Sequence, residues 1–208
     1  NEVPAVTPVD WDFVNIPHCW NAIDGQDGGN DYYRGTCCYV KDIDMEEVPV
    51  ADKYYLEING ANSSATVYMN GNKLASHDGG YSTWRVDVTE ELKNGTRLGI
   101  LVDNSANETV YPQMADFTFY GGIYRDVNLI AVSESHFDLE YYGGPGVMVT
   151  PTVKGMDALV EIETFITNKK DGQSVNYVLK DKSGVVVAAV KYTESKISLE
   201  IKDVVLWN

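Results

Sequence analysis

The chain has 208 residues, of which 44% are hydrophobic and 23% are charged, and its formal net charge is −15. This length suits one large all-β domain or two smaller domains, and the composition is that of a folded chain rather than a disordered one. The excess of acidic residues argues against nucleic acid as a partner, because binding to its phosphates needs clustered lysine and arginine. The chain contains no apolar run of the roughly 20 residues that a membrane-spanning helix needs.

The first segment predicts an irregular lead-in, an aromatic turn at residues 17–20, and a loop rich in glycine, aspartate and asparagine at residues 21–31. Three aspartates in this loop, Asp24, Asp27 and Asp31, are possible calcium ligands. Their spacing does not fit an EF-hand loop, so we favour a solvated loop. We therefore expect no cofactor in this chain, and leave a structural cation as an open question.

Short strands are predicted next, wherever aromatic and β-branched residues concentrate. They cover residues 33–40, 54–58, 65–69, 73–77, 83–88 and 97–102. The pair Asn70–Gly71 predicts a two-residue hairpin turn, and Thr89 can cap a single helical turn. Turns every 8–12 residues, with almost no helical period, are typical of a β-sandwich.

Residues 116–127 are the most unusual stretch, because they combine four aromatic residues, two adjacent glycines, two aspartates and an arginine. A glycine pair permits backbone angles that other residues avoid, or a close approach of another group. Residues 123–132 then alternate like a strand, which places Arg125 among apolar neighbours and predicts a carboxylate partner for it. Two interpretations remain open: a kinked entry into a buried strand, or a loop mouth at which Asp116 touches a ligand.

A linker at residues 133–135 separates a second set of predicted strands. They cover residues 137–142, 147–153, 158–167, 174–181, 184–191 and 196–206. Alternation is clear over residues 157–168, although its phase slips once. The whole chain is therefore predicted to be all-β.

The three cysteines do not define a site. Cys37 and Cys38 are neighbours on a predicted strand, so their side chains face opposite ways and cannot jointly hold a metal. Cys19 can form a disulfide with either of them, and the sequence does not decide between a disulfide and free thiols.

Several motifs stand in one order along the chain. They are Ile-Pro-His-Cys-Trp-Asn at residues 16–21, Tyr-Tyr-Arg-Gly at 32–35, Ala-Thr-Val-Tyr-Met-Asn-Gly at 65–71, His-Asp-Gly-Gly-Tyr-Ser at 77–82, and Asp-Phe…Gly-Gly-Ile-Tyr-Arg-Asp-Val at 116–127. Together they resemble the N-terminal part of glycoside hydrolase family 2, the β-galactosidase and β-glucuronidase family. Each motif alone is weak, but five in register over residues 11–132 make the resemblance specific.

The resemblance implies a jelly-roll β-sandwich that binds sugar over residues 1–134, followed by an immunoglobulin-like β-sandwich over residues 135–208. Retaining glycoside hydrolysis needs two carboxylates about 5–5.5 Å apart. In the family both are glutamates of a (β/α)8 barrel, which nothing in this chain predicts. The chain is thus expected to be an N-terminal, non-catalytic fragment of a retaining, exo-acting β-galactosidase-like hydrolase, with the missing barrel as its partner. One alternative is a stand-alone carbohydrate-binding module, in which an aromatic residue such as Trp84 or Tyr120 stacks on the sugar. The other is a parent enzyme with β-glucuronidase or β-mannosidase specificity.

The resemblance also implies which residues touch a sugar. Asp116 stands where the family has an aspartate that contacts the non-reducing sugar, and a carboxylate can accept paired hydrogen bonds from neighbouring hydroxyls. Cys19 replaces a polar residue of the family, and a thiol is a weak donor and acceptor. Trp84 is a candidate for stacking on a sugar, although a position in the sandwich core is the favoured interpretation. The expected ligand is a β-galactoside-like carbohydrate, and the expected location is outside the cytoplasm, either periplasmic or secreted.

Overall fold

The fold was analysed in a computed structural model, which describes residues 3–25, 32–115 and 117–206. The chain divides into two compact units, Asn1–Ser133 and Glu134–Asn208. The all-β prediction is confirmed, because the described residues contain only one short α-helix, α1 (Thr89–Leu92), and one 3₁₀ turn at Tyr141–Gly143. The described ranges contain no helix that is long and apolar enough to cross a membrane.

In the described residues of the first unit, seven strands form two antiparallel sheets. In chain order they are β1 (Thr36–Asp42), β2 (Lys53–Ile58), β3 (Ser64–Met69), β4 (Asn72–Asp78), β5 (Trp84–Asp87), β6 (Arg97–Asp103) and β7 (Val127–Val132). One sheet has the strand order β1-β6-β3-β4 and the other has the order β5-β2-β7. The predicted hairpin turn between β3 and β4 is confirmed, because Asn70 and Gly71 both have positive φ angles, 53° and 83°.

The core of the first unit is made by alternate residues of strands from both sheets. Five side chains of one cluster are almost completely buried: Leu56 and Ile58 on β2, Val67 and Met69 on β3, and Val102 on β6. Because side chains alternate across a strand, each strand buries one face in this way. The first unit therefore has one continuous hydrophobic core, and this core holds the ends of the strands in place.

Seven further strands lie in the second unit, counted over its described residues 134–206. They are β8 (His136–Phe137), β9 (Val147–Lys154), β10 (Asp157–Thr164), β11 (Ile166–Thr167), β12 (Val175–Lys180), β13 (Val186–Tyr192) and β14 (Lys196–Ile201). They form a three-stranded sheet β14-β10-β9 and the pairs β12-β13 and β11-β8. Its core is small and centres on Val160, Ile162 and Tyr177. The immunoglobulin-like assignment of this unit stays a prediction.

Candidate functional site

Four connections of the first unit converge at one end of its two sheets. The first residues of β1 and β3 both lie opposite Asp103, the last residue of β6. The last residue of β2, Ile58, lies opposite the first residues of β5 and β7. The connections at this end, which we call the loop cluster, are residues 17–35, 59–63, 79–83 and 104–126.

The longest connection of the loop cluster is fixed shortly before Asp116. Arg34 donates one hydrogen bond to the carbonyl oxygen of Asn104 at 3.1 Å and another to that of Gln113 at 2.8 Å. The side-chain amides of Gln113 and Asn62 exchange two further hydrogen bonds, at 3.1 and 3.2 Å. The backbone three residues before Asp116 is therefore held by two other loops.

The same connection is fixed again after Asp116. The amide of His18 donates to the carbonyl of Ile123 at 2.7 Å, and the amide of Trp20 donates to the carbonyl of Gly121 at 3.1 Å. Asn62 and Gly122 exchange backbone hydrogen bonds at 3.1 and 3.4 Å. Asp116 itself lies outside the described residues, so its contact with a sugar stays a prediction.

The glycine pair is needed because other groups pack directly against it. Gly122 has φ +116°, and a Cβ there would stand 2.8 Å from the carbonyl oxygen of His18 and 2.6 Å from the Tyr39 hydroxyl. A Cβ on Gly121 would meet the Trp20 indole nitrogen at 2.5 Å. Both reasons that the sequence suggested for a glycine pair therefore apply at Gly121 and Gly122: an unusual backbone angle and the close approach of another group.

Three buried asparagines join the loops, and sequence analysis missed all of them. Asn104 accepts a hydrogen bond from the Gly35 amide at 2.9 Å and donates to Asn21 Oδ1 at 3.1 Å and to the Tyr33 carbonyl at 3.0 Å. Asn21, Asn62 and Asn104 are each at most 1% exposed. Asparagine is common in exposed turns, so nothing in the local sequence distinguishes these three as buried.

A family comparison agrees with this geometry. The family model described as "Glycosyl hydrolases family 2, sugar binding domain" matches residues 14–133, which is nearly the whole of the first unit. The chain belongs to glycoside hydrolase family 2. The matched range includes the whole loop cluster and all seven strands that carry it.

Individual members of the family also resemble the chain. A β-glucuronidase of Bacteroides fragilis is 34% identical over 80% of this chain, and a β-galactosidase of Thermoanaerobacter pseudethanolicus is 27% identical over 92% of it. The crystal structure of an FMN-binding β-glucuronidase from Facaelibacterium prausnitzii L2-6 superposes with a TM-score of 0.85 at 41% identity over 94% of this chain. The chain spans 24%, 26% and 31% of these three proteins, respectively.

Cys19 lies in a half-buried position beside the aromatic residues that support this end of the family 2 domain. The imidazole of His18 and the hydroxyl of Tyr39 are hydrogen-bonded at 2.8 Å, and Trp20 stacks on Tyr39 with 6.5 Å between ring centres. Burial raises the pKa of Tyr39 to about 12. All three cysteines are free thiols, so Cys19 is not bonded to Cys37 or Cys38. A sugar contact by Cys19 stays a prediction.

Trp84 occupies the core rather than the surface. Its side chain is 9% exposed, belongs to the hydrophobic cluster of the first unit, and stacks on His77 with 5.2 Å between ring centres. Burial lowers the pKa of His77, so the imidazole that covers this ring tends to be neutral. These contacts agree with the core interpretation. Stacking on a sugar would need an accessible ring face.

Within the part of the chain that the structure describes, no carboxylate forms an ion pair with Arg125, so the predicted carboxylate partner stays a prediction. The strand β7 begins only at Val127, so Arg125 lies in the loop before it and is exposed. Its guanidinium donates to the carbonyl oxygens of Tyr81 at 3.0 Å and Asn59 at 3.3 Å. Both hydrogen bonds come from Nη1, so two backbone carbonyls are polar partners of this guanidinium.

Two carboxylates anchor the beginning of the connection 104–126. Burial alone would raise the pKa of Asp103, but hydrogen bonds from Thr36 and Ser105 keep that pKa below its ordinary value. The hydrogen bond from Thr109, at 2.5 Å, is the largest of the causes that lower the pKa of Asp78. Both groups therefore stay ionised near neutral pH and keep accepting these hydrogen bonds.

Of the three aspartates considered as calcium ligands, Asp24 lies among the described residues. Asp24 accepts hydrogen bonds from the Asn21 amide group at 2.5 Å and from the Tyr33 backbone amide at 3.0 Å, which closes this part of the loop. Asp27 and Asp31 lie outside the described residues. Within residues 3–25, 32–115 and 117–206, no group of three or more histidine, cysteine, aspartate or glutamate side chains is placed to hold a metal ion.

Proposed function

We propose that this chain is the N-terminal, non-catalytic part of a retaining, exo-acting glycoside hydrolase that cleaves O-glycosidic bonds. In this proposal the loop cluster shapes the pocket for the terminal sugar, and the catalytic carboxylates belong to another part of the protein. The observation that carries the proposal is the match of residues 14–133 to the sugar binding domain of the family. The strands of the described ranges also lack the alternation with helices that builds a (β/α)8 barrel.

β-Glucuronosides are the first candidate for the substrate. The two similar proteins named as β-glucuronidases above are 34% and 41% identical to this chain, whereas the named β-galactosidase is 27% identical. β-Galactosides, the class expected from sequence, are therefore the second candidate. A location outside the cytoplasm and the absence of a cofactor stay predictions.

The proposal is tested with the longer protein that carries this chain and with the 208-residue chain alone. We expect the longer protein to hydrolyse 4-nitrophenyl β-D-glucuronide faster than 4-nitrophenyl β-D-galactoside. The chain alone should hydrolyse neither, because the pair of catalytic carboxylates lies elsewhere. Turnover by the chain alone, or no turnover of either glycoside by the longer protein, would refute the proposal.

We expect Asp116→Ala to lower kcat/KM of the longer protein about 10- to 100-fold. The reason is that hydrogen bonds to a charged group contribute about 1.5–3 kcal/mol, and the loop on both sides of Asp116 is held in place by Arg34, Asn62 and Trp20. Steady-state kinetics on the better of the two glycosides measures the effect.

Glu108→Ala is the matched control, because Glu108 is an exposed carboxylate on the same connection. It should leave kcat/KM unchanged. Equal rates for the Asp116→Ala variant and the Glu108→Ala control would show that Asp116 does not contact the substrate. In that case the loop would have only a structural role.

A further inference from the structure

Four tyrosines form a continuous row on the loop cluster, although they come from two different connections of the chain. Tyr81 stacks on Tyr111 with 5.6 Å between ring centres and an angle of 17° between the ring planes. The centre of the Tyr124 ring lies 6.0 Å from the centre of the Tyr81 ring and 6.0 Å from that of the Tyr120 ring. We call Tyr81, Tyr111, Tyr120 and Tyr124 the tyrosine platform.

Much of the tyrosine platform faces solvent. Tyr81, Tyr111 and Tyr120 are 47%, 44% and 55% exposed, in spite of their contacts with one another. A group of adjacent, exposed aromatic rings is unusual on a protein surface and marks a binding surface more often than a scattered apolar residue does. The sequence predicted stacking on a sugar for Tyr120 under the alternative of a stand-alone carbohydrate-binding module, and it assigned no role to the other three tyrosines.

The ring of Tyr124, which lies between those of Tyr81 and Tyr120, is held in place before any ligand arrives. The hydroxyl of Tyr124 donates a hydrogen bond to the carbonyl of Gly80. Arg125 lies over the ring of Tyr124, with its guanidinium carbon 5.3 Å from the ring centre, and donates to the carbonyl oxygens of Tyr81 and Asn59. Arg125 is therefore a positioning residue for the platform. Rings that are already ordered lose little conformational entropy on binding, which favours recognition.

The chemistry of the platform selects among ligand classes. Ring faces carry partial negative charge and attract polarised C–H groups, while the hydroxyls at the ring edges can donate and accept hydrogen bonds. Burial and contacts with Tyr81 raise the pKa of Tyr111, so its hydroxyl stays protonated at neutral pH. A pyranose ring offers the matching surface, because it has C–H groups on its faces and hydroxyls around its rim.

Charge argues against the main alternatives. The net charge of the chain is −15, and Arg125 is the basic residue that contacts the platform rings in the described part of the chain. A polyanion such as a nucleic acid would need several basic groups at the surface. The four hydroxyls make the platform a poor match for a purely apolar partner.

We propose that the tyrosine platform is a stacking site for pyranose rings of β-linked glycans. Sugars with the gluco configuration fit best, because all their ring substituents are equatorial and both ring faces present only C–H groups. This inference rests on the proposed function for the choice of carbohydrate as the ligand class. It assigns the contact to four tyrosine rings of the loop cluster, whereas the proposed function names Asp116 as the contact residue of that cluster.

The test is a calorimetric titration of the intact 208-residue chain with cellotriose, a neutral β-linked trisaccharide of gluco configuration. We expect saturable binding, and we expect Tyr120→Ala and Tyr81→Ala each to weaken it about three- to tenfold, since an aromatic contact contributes about 0.5–1.5 kcal/mol beyond area burial. Tyr120→Phe should retain most of the affinity because it keeps the ring. Tyr142→Ala, which removes a tyrosine that is 90% exposed in the second unit, should bind as the unmodified chain does.

Three outcomes would overturn the proposal. The first is a flat titration of the unmodified chain, and the second is equal affinity of the Tyr120→Ala, Tyr81→Ala and Tyr142→Ala variants. The third combines two results: Tyr120→Ala lowers the melting temperature of the longer protein but not that of the 208-residue chain, and the longer protein does not bind cellotriose. The platform would then be an internal contact of the longer protein. Hydrolysis of glycosides by the longer protein is measured separately, so failure of the platform and failure of the proposed function are distinguishable.

Discussion

Gly122→Ala is expected to lower the free energy of unfolding of the first unit by about 2–6 kcal/mol. Two costs combine at this position. The backbone has φ +116°, and holding a residue with a side chain in such a sparsely populated conformation costs about 1–3 kcal/mol. The new Cβ would also stand 2.8 Å from the carbonyl oxygen of His18 and 2.6 Å from the Tyr39 hydroxyl, and overpacking costs about 1–3 kcal/mol.

Urea unfolding of the 208-residue chain measures this effect, and Gly71→Ala is the matched control. Gly71 also has a positive φ, +83°, but a Cβ there would have no other atom within 4 Å. The control therefore carries only the backbone cost of about 1–2 kcal/mol. If Gly122→Ala were no less stable than Gly71→Ala, the close packing around the glycine pair would not contribute to stability.

Asn104→Ala is expected to lower the same free energy of unfolding by about 2–5 kcal/mol. The substitution removes three hydrogen bonds at a position that is completely buried. It leaves the Gly35 amide and the Asn21 side-chain oxygen without these partners, and each buried polar group left unsatisfied costs about 1–3 kcal/mol. The loops that carry Tyr33, Gly35 and Asn21 should loosen together.

Two measurements check the Asn104 prediction. Urea unfolding gives the change in free energy, and amide hydrogen exchange should show loss of protection at Gly35. The control is Asn72→Ala, because Asn72 is exposed at the beginning of β4 and its replacement should change stability by less than about 0.5 kcal/mol. Unchanged protection of the Gly35 amide in the Asn104→Ala variant would contradict the role that we assign to Asn104.

Much of the strand pattern of the first unit could be predicted from sequence. The predicted strands at 65–69 and 97–102 agree with β3 and β6 to within one residue at each end. The reason is local: alternation of apolar and polar residues, together with turn residues such as Asn70 and Gly71, acts within a few positions of the chain. The glycine pair at residues 121–122 was predicted as a special backbone position for the same local reason.

Predictions that needed distant partners failed or were not made. The alternation over residues 123–132 predicted a strand from Ile123, but pairing with β2 begins only at Val127. Arg125 was therefore assigned a carboxylate partner, whereas its hydrogen bonds to described residues go to two backbone carbonyls of other loops. In the second unit the strand predicted over residues 158–167 is divided, because β10 ends at Thr164 and β11 pairs separately with β8.

The amino-acid sequence by itself determined that the chain is all-β, that it belongs to glycoside hydrolase family 2, and where most strands of the first unit lie. Only the tertiary structure decided which groups meet at the loop cluster. Asn21 and Asn104 are 83 positions apart and Tyr81 and Tyr111 are brought together from separate loops. The physical reason is that periodicity and turn chemistry are local properties of a chain, whereas burial of an asparagine or stacking of two rings depends on how strands pair and pack.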